Sequence, residues 1–253
     1  MCTYAAIGNQ LSLLKELRKR NFIWNEGTCA HAALNNRLEM LQYLRENECP
    51  WNALTCEFAA GSGHLEILKW AHENGCPWNT ETCISAVRNR HFHILQYARA
   101  NNCPWNSDVC FYSVLNSNLH ILQWARQNGC PWNESVCTAA ALCGNLHILK
   151  WARANGCPWD TQVLTRVLCY KNWHMLQWII EQGCDDLVDN IDQFLSKPID
   201  ITDLNHINSQ EWLHDHINFW AETNLKELIQ NINATLLHVI EVPDLVKLIK
   251  TYI

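Results

Sequence analysis

The apolar positions of the chain fall into short segments with a helical period, as residues 52–78 show well. Cys56, Ala59 and Ala60 are spaced at i, i+3 and i+4, so they share one face of a first helix. A second apolar stripe of helical spacing consists of Leu65, Ile67, Leu68 and Ala71. The pattern therefore predicts two short helices, and the small side chains of the first allow a neighbouring helix to approach closely.

Capping and turn residues mark the ends of both predicted helices. Asn52 is a suitable N-cap for the first helix, and Gly61 and Gly63 interrupt the pattern before the second. Gly75 provides the left-handed residue at which a helix commonly ends, and Pro77 prevents the helix from continuing. The segment therefore reads as one complete helix pair.

This helix pair is one unit of an internal repeat with a period of 27 residues. The tryptophans at this spacing are Trp24, Trp51, Trp78, Trp105, Trp132 and Trp159. Twelve of the fourteen cysteines form two further columns, Cys49, Cys76, Cys103, Cys130, Cys157 and Cys184, and Cys2, Cys29, Cys56, Cys83, Cys110 and Cys137. A unit of this kind cannot bury its apolar face alone, so stacking of neighbours must supply the core.

The cysteine columns do not have the spacing of a disulfide framework or of a zinc site. The chain lacks any C-x-x-C pair, and Cys76 and Cys83 are seven residues apart, from the end of one helix into the next. Without a secretory signal, disulfides are not expected either. We therefore expect buried thiols that fill space in the core, with no metal and no cofactor.

Residues 59–79, AAGSGHLEILKWAHENGCPWN, resemble an ankyrin repeat. The residues that match the family pattern are Ala59, Ala60, Gly63, His64, Leu65, Glu66 and Lys69. Two departures are the replacement of Thr-Pro-Leu-His by residues 54–57 and the shorter period, since ankyrin repeats have about 33 residues. The missing segment is the β-hairpin finger. The resemblance implies an all-α, helix-pair solenoid of about seven shortened ankyrin-like repeats over residues 1–184, followed by a small helical module.

The repeated tryptophan takes the position where ankyrin repeats use a valine between units. We expect it to act as a wedge between neighbours that lack the hairpin. A buried tryptophan removes about 150–250 Å² from water, which corresponds to about 4–6 kcal/mol of gross stabilisation. Short tryptophan-bearing repeats are also similar to those of large ankyrin families in giant DNA viruses and some protists. Because the chain shows no secretory signal and no membrane span, we expect a cytoplasmic protein, in the host cell if the source is a virus.

Two further columns could carry chemistry but have simpler interpretations. The first consists of His93, His120, His147 and His174. We expect solvated positions early in each second helix, because packed helices about 8–10 Å apart keep such imidazoles from sharing a metal; a weak pH response is the alternative. The second column, Tyr43, Trp70, Tyr97, Trp124, Trp151 and Trp178, is interpreted as core rather than as a base-stacking platform.

Catalytic motifs such as G-x-S-x-G, a P-loop or H-E-x-x-H are missing from the chain. Repeated residues favour structure, whereas an enzyme needs one unique constellation, so we predict no enzymatic activity. Positions that vary between units are the better candidates for contacts with a protein partner. The predicted partner-binding residues are Ile84, Arg88, Phe111, Tyr112, Leu115 and Leu142. The alternative is that these side chains pack against the next first helix.

Residues 185–253 form a separate, acidic module without cysteine after Cys184 ends the repeats. They carry 12 acidic residues against 4 lysines, whereas residues 1–184 have a net charge of +2. This acidity disfavours binding to nucleic acid, and no apolar run reaches the roughly 18 residues of a membrane span. Amphipathic stretches predict helices in this module, which caps the solenoid or recruits a second protein.

Residues 242–253 resemble the start of F-box-like sequences, which some viral ankyrin-repeat proteins carry at the C-terminus. The resemblance implies contacts with a ubiquitin ligase adaptor by Pro243, Leu245, Val246 and Ile249. A simple capping helix is the alternative for this stretch. The sequence thus leads to two hypotheses: a non-catalytic interaction scaffold for a protein partner, and a substrate-recognition adaptor of a ubiquitin ligase.

Overall fold

The computed structural model describes residues 1–170 and 172–182, which form helices joined by short turns and loops, without any strand. The described helices are α1 (Cys2–Ile7), α2 (Leu11–Lys19), α3 (Glu26–Leu34), α4 (Leu38–Glu46), α5 (Ala53–Gly61), α6 (Leu65–Glu73), α7 (Thr80–Arg88), α8 (Phe92–Ala100), α9 (Ser107–Leu115), α10 (Leu119–Gln127), α11 (Glu134–Leu142), α12 (Leu146–Ala154), α13 (Thr161–Cys169) and α14 (Trp173–Glu181).

These helices form seven units, each a first helix with an odd number and a second helix with the next even number. Each first helix packs on its partner in the unit and on the first helix of the next unit, from α1 against α3 to α11 against α13. The predicted all-α, helix-pair solenoid of ankyrin-like repeats is confirmed. The absence of strands in the described residues agrees with repeats that have lost the hairpin finger.

One continuous apolar core runs through the stacked units from Cys2 to Ile179. In the third unit, Cys56, Ala59 and Ala60 on α5 are fully buried, as the small side chains of the first helix require for close stacking. The apolar stripe of α6 is also in the core through Ile67 and Leu68. The same arrangement recurs in every unit because the same residue types return at each period.

The asparagine that ends each CPWN segment caps the following helix. The Asn52 side chain accepts a hydrogen bond from the backbone N–H of Leu54 at 3.0 Å while its own backbone is extended, with φ −147°. Asn79, Asn106 and Asn133 cap α7, α9 and α11 in the same way. The last letter of the repeated motif is thus a helix start signal.

The turn between the two helices of a unit contains one residue in the left-handed region. Gly63 has φ +82° at this position in the third unit, and Gly144 has φ +66° in the sixth. The remaining units with a positive φ at this position have Asn9, Asn36, Arg90 and Ser117. The geometry is therefore a property of the turn, and each unit satisfies it with a different side chain.

The predictions for the acidic module fall on residues 183–253, which lie outside the described residues. This includes the domain boundary at 184 and the F-box-like residues Pro243, Leu245, Val246 and Ile249. None of the described helices is long and apolar enough to cross a membrane.

Candidate interaction surface

The cysteine of each CPWN loop connects that loop to the preceding one. The Cys76 thiol donates a hydrogen bond to the Asn52 carbonyl with an S–O distance of 3.4 Å. The same contact joins Cys49 to Asn25, Cys103 to Asn79, Cys130 to Asn106, and Cys157 to Asn133. Neighbouring loops are therefore linked through backbone carbonyls, and the cysteine is more than an apolar filler.

The two cysteine columns meet inside the core, where each unit pairs one thiol from each column. The Cys56 thiol donates a hydrogen bond to Cys76, and this bond together with burial raises the pKa of Cys56, which keeps it protonated. The cysteines of the described units that form such pairs are Cys29 with Cys49, Cys56 with Cys76, Cys83 with Cys103, Cys110 with Cys130, and Cys137 with Cys157. All ten are free thiols and buried, as the sequence predicted.

Each repeated tryptophan lies at the junction of two units. The Arg99 guanidinium, on the second helix of the fourth unit, lies 4.1 Å from the centre of the Trp105 ring. Trp124, on the second helix of the fifth unit, meets the same ring edge-on at 5.8 Å. The predicted position between units is confirmed, but burial is only partial: Trp24 is 7% exposed and the other five rings are half-buried.

An arginine or a histidine stacks on each of these tryptophan rings, and this contact was not predicted. The residues stacked on the repeated tryptophans are Arg18, Arg45, His72, Arg99, Arg126 and Arg153. Four of these arginines also donate to the carbonyl of the next CPWN cysteine, for example Arg153 to Cys157 at 2.6 Å. Their constant spacing of six residues before the tryptophan was the available signal.

The residues of the CPWN loops are used for contacts between neighbouring units. Cysteine, tryptophan and asparagine each make the same contact in one unit after another. Conserving a contact of this kind in every unit stabilises the interfaces between neighbours. The CPWN loops are therefore interpreted as structural.

The histidine column lies in solvent, since His93, His120, His147 and His174 are all exposed. In the part of the chain that the structure describes, no three His, Cys, Asp or Glu side chains come together to hold a metal ion. The aromatic column packs half-buried against the core, where its members meet the repeated tryptophans edge-on.

Of the six predicted partner-binding residues, Ile84 does not reach the surface. Its side chain is only 2% exposed and belongs to the core. The reason is that α7 packs between α5 and α9, so this position is covered by neighbouring first helices. The prediction of Ile84 as a contact residue is wrong, and the alternative of packing between first helices applies to it.

The remaining five residues are accessible and lie on the first helices of the fourth to sixth units. Arg88 is exposed, and Phe111, Tyr112, Leu115 and Leu142 are half-buried. A hydrogen bond of 2.9 Å joins the Arg88 guanidinium to the Tyr112 hydroxyl, and the guanidinium also lies 4.5 Å from the centre of that ring. The structure thus brings residues from two units into contact.

Arg90 extends this group and was not predicted. Its Nε donates to the side-chain oxygen of Asn116 at 3.3 Å, so it crosses from the fourth unit to the fifth as Arg88 does. Asn116 in turn donates to the carbonyls of Val87 at 2.7 Å and Arg88 at 3.3 Å. We call the resulting group the helix-end surface, composed of Arg88, Arg90, Phe111, Tyr112, Leu115 and Leu142.

The fold and this surface define a class: the chain is a helical-repeat protein built from ankyrin-like units. No protein-family model matches the sequence, and no curated protein matches it. Among solved structures, the ankyrin repeat domain of human ASB11 is similar with a TM-score of 0.50 at 16% identity, over 62% of this chain and 84% of that domain. At this identity the likeness supports the fold alone.

Two structures of the pentatricopeptide repeat protein PPR10 are also similar, more weakly. The one in complex with an 18-nucleotide RNA element has a TM-score of 0.35 at 11% identity and covers 72% of this chain and 37% of that chain. The one from maize has a TM-score of 0.41 at 12% identity and covers 85% of this chain and 38% of that chain. This chain thus spans well under half of PPR10.

Proposed function

We propose that this chain is a non-catalytic scaffold that binds a protein partner through the helix-end surface. The observation that carries the proposal is that two different sets of residues in each unit serve the fold and face the solvent. The repeated residues of the CPWN loops are engaged in contacts between units, whereas the residues at the ends of the first helices vary and remain accessible. Variable side chains on a regular framework are how repeat proteins adapt to different partners.

Two features favour binding over catalysis. The cysteines recur at two fixed positions of the repeat, and the histidine column spans four units, so neither residue type forms one unique constellation. The paired cysteines are buried, and a hydrogen bond together with burial raises the pKa of thiols such as Cys56 and keeps them protonated, which is the inert state of this side chain.

The test is affinity capture from the native cell with the full chain and two variants. Leu142→Glu places a charge on the helix-end surface, and Leu13→Glu places one outside that surface, on α2, where Leu13 is 44% exposed. Proteins captured by the wild type should be lost from the Leu142→Glu sample and retained with Leu13→Glu. Capture of the same proteins by both variants would contradict the proposal.

A substrate-recognition adaptor of a ubiquitin ligase is the second proposal. Its support is the F-box-like resemblance of residues 242–253, with Pro243, Leu245, Val246 and Ile249 as the contacts. Deletion of residues 241–253 should then remove ligase components from the captured proteins and leave the other partners in place. Loss of all partners together, or of none, would contradict the adaptor role.

We further propose that the protein works in the cytoplasm, of a host cell if its source is a virus. The supporting observation is that the described cysteines are all free thiols, which a reducing compartment maintains. Microscopy of the tagged chain tests the location.

A further inference from the structure

We propose that the helix-end surface recognises an acidic peptide segment of its protein partner, with Arg88 and Arg90 binding carboxylates. This inference rests on the proposed function and adds the chemistry of the partner. It depends on the placement of two arginines, the charges around them, the backbone at Arg90 and the apolar neighbours.

The two guanidinium groups are held in place by the next unit. Arg88 is anchored on Tyr112 and Arg90 on Asn116, and these two anchors are one helical turn apart at the end of α9. Both arginines are exposed. Side chains that are already ordered lose less conformational entropy on binding, and arginine can bind a carboxylate with two parallel hydrogen bonds.

No carboxylate neutralises this pair. The turns at residues 88–91, 115–118 and 142–145 contain neither Asp nor Glu. The acidic residues of α7, α9 and α11 lie in the first turn of each helix, about 10 Å along the axis from the helix end. Within the described residues the ion pairs are Lys19–Glu16 and Lys69–Glu66, both elsewhere.

Glu57 is the carboxyl group whose pKa responds to Arg88, yet it does not pair with it. Burial and the charge of Glu81 raise the pKa of Glu57, and the charge of Arg88 opposes this rise. The separation exceeds ion-pair distance, so the Arg88 guanidinium keeps its positive charge available to a ligand. Charge complementarity therefore favours an acidic partner.

The backbone at Arg90 follows the turn geometry of the other units. Arg90 has φ +66°, at the turn position where Gly63 and Gly144 also have a positive φ. In the fourth unit this position has a long cationic side chain, which reaches Asn116 in the neighbouring unit.

Apolar neighbours specify the rest of the ligand. Leu115 and Leu142 end α9 and α11 in the two units that follow the arginines, and Phe111 and Tyr112 pack edge-on against each other at 5.3 Å. Aliphatic side chains suit the apolar residues of a peptide. Nucleic acid is the weaker candidate because this surface has only two arginines, whereas phosphate backbones need an extended basic surface.

The experiment selects binders from a displayed library of random 12-residue peptides on the immobilised full chain. The test variant carries Arg88→Gln and Arg90→Gly, and glycine suits the left-handed position, so it should fold at least as well as the wild type. The control carries Lys15→Gln and Arg20→Gln, two exposed cations on or next to α2 with the same loss of charge.

The proposal predicts peptides that combine Asp or Glu with apolar residues, bind the control like the wild type, and bind the test variant at least about tenfold more weakly. Peptides without acidic enrichment that are nevertheless lost on Leu142→Glu would overturn this inference and leave the proposed function standing. Peptides insensitive to all these changes would overturn the proposed function as well.

Two other outcomes also decide against an acidic partner peptide. Tighter binding of a random 20-nucleotide RNA than of any peptide, abolished in the test variant, would assign the arginines to phosphate. In the second outcome, acidic peptides are selected only after the acidic residues of 185–253 are changed to amides. That result would indicate that the ligand of the surface is the chain's own acidic module and not a partner.

Discussion

The two connections of each unit solve the same geometric problem with different residues. The CPWN loop leads from one unit to the next, and its cysteine, tryptophan and asparagine repeat with their contacts from Cys49 to Cys157. Both connections also contain one residue in the left-handed region, and this residue varies in both, as Glu48 and Gly75 show for the loop and Gly63 and Arg90 for the turn inside the unit. The repeated contacts therefore limit the sequence at the cysteine, tryptophan and asparagine of the loop, whereas the residues of the inner turn can differ from unit to unit.

The physical reason lies in what each connection contacts. A CPWN loop bridges neighbouring units, so its cysteine, tryptophan and asparagine are part of an interface on which stacking depends. The inner turn needs only one backbone conformation, because its two helices are held together by the core beneath it. A side chain used for binding can therefore replace glycine at the turn, and the left-handed conformation then costs about 1–2 kcal/mol of stability per residue.

The largest expected effect is the loss of a central tryptophan. Trp105→Ala should lower the free energy of unfolding by about 3 kcal/mol, at the lower end for core tryptophans because the ring is half-buried. Denaturant unfolding should also become less cooperative, since the fourth and fifth units lose contact at this ring.

Trp24→Ala is the matched control at the end of the solenoid. Trp24 is the more buried ring, at 7% exposure, yet its loss should mainly fray the first units. Equal effects below about 1 kcal/mol at both sites would show that the rings do not couple the units, and would return the CPWN loops to the candidate binding residues.

The next effect concerns the cap of α9. Asn106→Ala removes the acceptor for the Asp108 backbone N–H at 3.1 Å and should cost about 1 kcal/mol of stability. Asn106→Ser should retain most of the stability, because a serine hydroxyl also caps a helix and does not place a second carboxylate beside Asp108. Thermal unfolding of both variants measures the difference, and an equally unstable Asn106→Ser variant would contradict a capping role.

The stacked cation should matter less. Arg126→Gln removes the guanidinium that lies 4.1 Å from the centre of the Trp132 ring and should cost about 0.5–1 kcal/mol in denaturant unfolding. Arg126→His should be milder, since His72 stacks on Trp78 at 3.7 Å in the third unit. Identical losses for glutamine and histidine would indicate that the carbonyl hydrogen bond matters and the ring contact does not.

The smallest effect is a pH dependence at Glu57. Burial raises the pKa of this carboxyl in the folded chain, so the folded state binds its proton more tightly than the unfolded state. Glu57 therefore contributes its full stabilisation of the folded state below its unfolded pKa. This stabilisation is lost as the pH rises through the folded pKa of Glu57. Glu57→Gln should flatten the stability profile above pH 4–5; an unchanged profile would contradict it.

Local signals were sufficient to predict the helix pairs and the burial of the thiols. The residue types of Cys56, Ala59 and Asn52 return at the same positions in most units, so the pattern of one unit predicts the stack. The stacking of Arg99 on Trp105 could not be derived, because it depends on the path of the loop between two helices.

The interaction surface was only partly predictable. Ile84 and Phe111 occupy the same repeat position, yet one is buried and the other half-buried, so the repeat pattern alone does not give the exposure of this position. Arg90 was missed because neither its positive φ nor its contact with Asn116 is visible in a hydrophobic pattern.

The central claim is that the CPWN loops maintain the fold while the helix-end surface serves a partner. Its most direct test measures, for Trp51→Ala and for Arg88→Gln with Arg90→Gly, both the free energy of unfolding and the affinity for a library-selected acidic peptide. Trp51→Ala should lose about 3 kcal/mol of stability and, where still folded, bind normally. The arginine variant should stay within about 0.5 kcal/mol of the wild type and lose binding. Lost binding with Trp51→Ala and unchanged binding with the arginine variant would contradict the account.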